Sequence, residues 1–252
     1  MIRNGLAADA TVVTYRKDWS GDSMFVDERA FAKGFFSSLS HEKDLQQEII
    51  DAIDETLRRY DTGPWENRFG VGGVIEQILG STARELGFKV SNVGAHLQKS
   101  DLELESGAGL SVKAQFGQYS RSSRIRLTNS QGATGNWDTG TLFVLTGVGI
   151  GYADSGLAPA ATVTAGDGKS LDVAVIPLLH LWGVRPREQR GKEPEWLAKL
   201  SMPDPEPGYF LELPIPDRAT VTAPRLMSDP IALDILQSGK SPRLLKAFQW
   251  ST

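Results

Sequence analysis

The chain contains no cysteine. That excludes a disulfide framework, a thiolate metal site and a thiol nucleophile together. Histidine is scarce: His41, His96 and His180 are scattered and show none of the spacings at which imidazoles share a metal. His180, inside an apolar run, reads as a core histidine. Long apolar runs are also missing; Leu142 to Leu145 and Val173 to Leu181 are too short or too interrupted to span a bilayer. The opening residues, MIRNGLAADATVV, lack the basic start and apolar stretch of a secretion signal, so no membrane association and a cytoplasmic location are the expectation. Gly70-Val71-Gly72-Gly73 lacks the following Lys-Ser/Thr and a clear preceding strand, which sets aside a phosphate-cradling loop.

Net positive charge is absent as well. At −4 the chain is not composed like a dedicated non-specific nucleic-acid binder, whose affinity comes from neutralising phosphates. Its positive charge is instead clustered, at Arg121, Arg124 and Arg126 and again at Arg185, Arg187, Arg190 and Lys192. The first cluster is a candidate phosphate grip; the second reads as a solvated linker.

What is present is periodicity that changes along the chain. Phe31, Phe35 and Phe36 point to burial near the N-terminus. From His41 to Tyr60, Leu45, Ile49, Ile50, Ile53 and Leu57 recur at helical spacing, with Ser40 as the expected N-cap and Gly63-Pro64 as the stop. A second helix is expected from about Val71 to Leu86, closed by Gly87. Glu76 lies at the edge of its apolar face, and Gly72 and Gly80, four residues to either side, would admit a close neighbour.

The period then becomes two. Phe88 to Val93, Asp101 to Leu104 and Leu110 to Phe116 read as strands, the last two joined as a hairpin through Glu105-Ser106-Gly107-Ala108-Gly109. Further strands are expected at Arg124 to Thr128, Thr141 to Ile150 and Leu171 to Ile176. The pattern predicts an α/β protein: a helical N-terminal segment over 1–61, a core over 62–185 with a mixed sheet flanked by helices, and a proline-rich extension or accessory subdomain over 186–252.

Residues two apart on a strand share a face, so Ser111, Lys113 and Gln115 line one side of their strand, as Asp101 and Glu103 do on theirs. Folding the hairpin sets Asp101 beside Lys113. A carboxylate and a lysine on adjacent strands are the least machinery for phosphodiester hydrolysis: the carboxylate holds a hard cation, and the lysine orients water and meets developing charge.

The stretch from Gly72 to Gly117, under a fifth of the chain, resembles the core of the PD-(D/E)XK nucleases, particularly the Mrr-type branch of restriction endonucleases. In that branch a glutamate-bearing helix runs into a G-[FY]-x-V strand, here Gly87-Phe88-Lys89-Val90, followed by an aspartate strand and a strand carrying x-x-K. The resemblance implies a restriction-endonuclease-like core and cleavage of double-stranded DNA with Mg²⁺, Mn²⁺ substituting. It implies Asp101 as metal-binding aspartate, Lys113 as catalytic lysine, Glu76 as helix glutamate, and a homodimer whose two sites address both strands. Ser111 and Gln115 are candidate contacts to phosphate or water.

Two positions depart from the pattern. Lys99-Ser100 stands where proline would precede the aspartate, and Ser111 stands where a carboxylate or glutamine usually lies two residues before the lysine. A hydroxyl is a weak Mg²⁺ ligand, so Glu76, with Glu103 as second choice, is expected to supply the missing carboxylate. The alternative is a nuclease-like DNA-binding or scaffold protein that has lost catalysis.

Overall fold

The computed structural model describes residues 23–93, 100–116, 123–126, 139–145, 149–154, 170–171, 180–189, 192–201 and 228–249. Three helices come first: α1 (Val26–His41), α2 (Lys43–Arg59) and α3 (Trp65–Glu85). The helical spacing seen in the sequence is the reason they pack. Leu45, Ile49, Ile53 and Leu57 of α2 are all buried, as are Phe31, Phe35, Phe36 and Leu39 of α1. Each such side chain contributes about 1.5–3 kcal/mol when fully buried. Phe31 stacks on Phe35 with ring centroids 5.5 Å apart and meets the edge of Phe88 at 5.2 Å.

The helix boundaries shift from those expected. Ser40 does not cap α2; it belongs to the last turn of α1, where its Oγ donates to the Ser37 carbonyl at 2.7 Å, and Glu42 stands between the two helices. The third helix begins at Trp65, a full turn and more before Val71, because Pro64 opens it and its first turn is tied back by Asn67 Nδ2 to Asp61 O and Arg68 Nε to Thr62 O. Its C-terminus closes as expected: Gly87 takes φ +87°, and the Phe88 N–H reaches the Ala83 carbonyl at 2.9 Å.

A five-stranded mixed sheet follows, built from β1 (Val90–Asn92), β2 (Leu102–Leu104), β3 (Gly109–Gln115), β5 (Gly140–Leu145) and β6 (Gly149–Ala153), in the order β1-β2-β3-β5-β6. Neighbours are antiparallel except β3 and β5, which run parallel. The β2–β3 turn is the expected one, with Gly107 at φ +81°. The single strand expected over Thr141 to Ile150 is a hairpin of β5 and β6, with Leu145 opposite Gly149. Leu102, Leu104, Leu110, Val112, Leu142 and Val144 form one core with Val71, Val74, Ile75, Ile78 and Leu79 of α3, so this helix lies across one face of the sheet.

A second sheet, of order β4-β9-β8-β7, joins β4 (Ser123–Arg126), β9 (Lys192–Ser201), β8 (His180–Gln189) and β7 (Ser170–Leu171). The expected boundary at 185/186 falls inside β8, and Pro186 and Pro194 lie within strands. The proline-rich tail ends in regular structure: α4 (Ser228–Ser238) and α5 (Pro242–Gln249) bury Ala232, Ile235, Leu236, Leu244 and Phe248 in the same core as α2 and α3. No helix among the described residues is long and apolar enough to cross a membrane.

Candidate active site

Asp101 stands one residue before β2 and is pinned by its own main chain on both sides. Its N–H reaches the Leu110 carbonyl at 2.8 Å, and its carbonyl accepts from Val93 N at 3.0 Å. Its side chain is held too. Oδ2 accepts from the Val112 N–H at 2.6 Å and from the Ser111 hydroxyl at 3.0 Å. Lys113 follows on β3, on the face of Ser111 and aligned with Phe143 of the parallel neighbour β5. Phe143 is fully buried and Lys113 half-buried.

Glu76 comes to this pair from α3. Near Glu76 the helix is fastened to the edge strand: Asn92 Nδ2 donates to the Glu76 carbonyl at 2.9 Å, while Asn92 Oδ1 accepts from Arg84 Nη1 at 2.8 Å. A Cβ on Gly80 would lie 2.2 Å from Asn92 Oδ1, so only glycine lets this asparagine in. The Glu76 carboxyl is pushed up to about 8, chiefly by burial and then by the negative charge of Asp101; Lys113 opposes the shift, and Asp229 adds to it. The helix residue Glu76 is thus brought within electrostatic reach of Asp101 and Lys113 of the hairpin.

The remaining candidates divide. Ser111 is buried and its hydroxyl is turned on Asp101. Gln115 ends β3 half-buried, opposite Leu145. Glu103 lies in register with Ser91 and Gly109, one row beyond Asp101. Arg124 and Arg126 lie on β4 of the second sheet, paired with Lys199 and Leu197; Arg121 lies outside the described residues, as do His96 and Arg190. His41 is exposed, with Nδ1 against the Ser37 carbonyl.

Two residues escaped the sequence reading. Asp229 opens α4, from the tail, and accepts from Gln77 Nε2 at 2.8 Å; Ser228 beside it fills the space over Gly73. Nothing in the local sequence connects a residue that distant to Glu76. Asn92 had a signal, the gap in α3 at Gly80, but nothing to say which side chain would fill it.

Among the described residues no group of three or more His, Cys, Asp or Glu side chains is arranged to hold a metal. The two carboxylates that could hold a cation are those of Asp101 and Glu76, both hard oxygen donors, with the charge of Asp101 bearing on Glu76. Mg²⁺ commonly binds through one or two carboxylates, with water and substrate phosphate completing its shell, so the pair fits that ion. No family model, no curated protein and no solved structure matches the chain.

Proposed function

We propose that the chain is a Mg²⁺-dependent endonuclease with a restriction-endonuclease-like core, hydrolysing phosphodiester bonds of double-stranded DNA. One observation carries the reading: the buried Glu76 carboxyl of α3 lies close enough to Asp101, ahead of β2, and to Lys113 of β3 for their charges to bear on it, while Asp101 is held by the β3 main chain at Val112. Asp101 and Glu76 hold the cation, and Mn²⁺ takes the same donors. The bound ion supplies polarisation of the scissile phosphate. Lys113, half-buried on β3, orients the attacking water and meets the negative charge that develops on the phosphate. Arg124 and Arg126 of β4 are the expected grip on the DNA backbone, and a homodimer would bring a second site to the opposite strand. Restriction of foreign DNA is the setting this activity suits.

The test is cleavage of methylated and unmethylated plasmids by the pure protein with Mg²⁺, Mn²⁺ or EDTA, with Lys113→Ala in parallel. Metal-dependent cutting, lost in the variant, is the expected result. Cutting undiminished in Lys113→Ala overturns the site. One observation favours a second reading: at Ser111, where a third ligand would lie, stands a hydroxyl already bonded to Asp101. DNA binding without cutting under any metal would make the chain a catalytically silent DNA-binding protein.

A further inference from the structure

The Ser111 side chain is 6% exposed and cannot present itself to DNA. What it does touch is Asp101, and the details of that contact define a role. The main chain of Asp101 is fixed between Val93 and Leu110, and the Val112 N–H takes Oδ2 at 2.6 Å. The Ser111 hydroxyl donates to the same Oδ2 at 3.0 Å, so two donors from adjacent residues hold one oxygen and together resist rotation of the side-chain torsions. Among the described residues no hydrogen bond reaches Oδ1.

The restraint matters for the cation. A hard ion holds its oxygen ligands at short, defined distances, so a carboxylate already fixed in one orientation binds it better than one that must be ordered on binding. A carboxylate at position 111 would set a negative charge directly against Oδ2. A serine adds a donor instead.

We propose that Ser111 is a positioning residue for Asp101: with the Val112 amide it engages Oδ2 and leaves Oδ1 to the cation. The proposal rests on Asp101 being a metal ligand. It turns the departure at Ser111 from a lost ligand into a support for a remaining one, and it leaves Asp101 and Glu76 as the protein ligands.

The experiment is Mn²⁺ titration of the full chain without DNA, followed by the electron paramagnetic resonance of free Mn²⁺, on wild type, Ser111→Ala, Ser111→Thr and Ser111→Cys. Loss of a group that orients a ligand typically weakens metal binding by about tenfold or more, and Ser111→Ala is expected to show that loss. Ser111→Thr, which keeps the hydroxyl, is expected to bind as wild type does. Ser111→Cys keeps the shape with a far weaker donor and is expected to follow the alanine, so the result does not depend on Ser111→Ala folding. A serine that only stabilised the fold would lower the melting temperature of the alanine variant and leave its Mn²⁺ affinity alone, and that outcome overturns the proposal. Failure of the wild type itself to bind Mn²⁺ overturns the metal reading of Asp101, and this inference with it.

Discussion

Asn92 donates to the main-chain carbonyl of Glu76 at 2.9 Å and thereby fastens the carboxylate-bearing stretch of α3 to the edge of the sheet. The same side chain accepts from Arg84, whose Nε reaches the Ala247 carbonyl of α5 at 3.0 Å. A single amide thus links the candidate site, the sheet edge and the C-terminal helix. The fit depends on a bare backbone at Gly80.

Gly80→Ala is therefore expected to destabilise the protein. Its Cβ would meet Asn92 Oδ1 at 2.2 Å, and the amide cannot step aside without giving up bonds to Glu76 and Arg84. A cost of about 2 kcal/mol or more follows from the displaced hydrogen bonds and the strain. Gly72→Ala, two turns earlier, meets nothing within 4 Å and is expected to be neutral or to stabilise by up to about 1 kcal/mol, because alanine is the better helix former. Urea denaturation of both variants checks the contrast; equal midpoints would show that Asn92 yields without cost.

These two glycines also measure what the sequence could tell. Their spacing from Glu76 marked them as places of close approach, yet one faces open space and the other receives an asparagine from the next strand. The hairpin carrying Asp101 and Lys113 was legible because strand period, turn residues and site residues all lie within a short local stretch, and the parallel pairing of β3 with β5 was not, because it joins segments separated by residues the local pattern does not connect. The tail was illegible for a similar reason. Its prolines announce interruption, while the helices beyond them are fixed by burial of Ile235, Leu236, Leu244 and Phe248 against α2 and α3, a cause that lies elsewhere in the chain.

A second expectation concerns the seam between α1 and the sheet. Arg29 grips Asp154 through two bonds, Nε to Oδ2 at 2.8 Å and Nη2 to Oδ1 at 2.7 Å, and the Tyr152 hydroxyl donates to Oδ2 at 2.8 Å. The Asp154 side chain is 0% exposed. Removing the guanidinium breaks a buried ion pair, which costs about 3–5 kcal/mol. Arg29→Met should lose roughly that much in denaturant unfolding, and Arg29→Met with Asp154→Asn should lose clearly less than the sum of the single changes. Additive losses would mean that the two side chains act independently.

The pH dependence of stability gives the most direct view of Glu76. Burial, with Asp101 and Asp229 adding to it, holds its carboxyl up at about 8 in the folded protein, against 4.5 as the ordinary value. Between those limits the folded chain binds a proton there that the unfolded chain has released, so stability falls as pH rises through this window and levels off above it. Glu76→Gln mimics the protonated form at every pH and removes this slope. The two proteins are expected to be closely matched near pH 5, and the variant to be the more stable by on the order of 2–4 kcal/mol near pH 9. On the proposed reading Mg²⁺ would take the place of the proton between Asp101 and Glu76, so it should stabilise the wild type more at pH 8 than at pH 6 and stabilise the glutamine variant little at either. Unfolding curves in urea from pH 5 to 9, with and without Mg²⁺, measure all of this. Stability profiles that run parallel for wild type and Glu76→Gln would remove Glu76 from the site, and a Mg²⁺ effect equal in the two proteins would place the cation elsewhere.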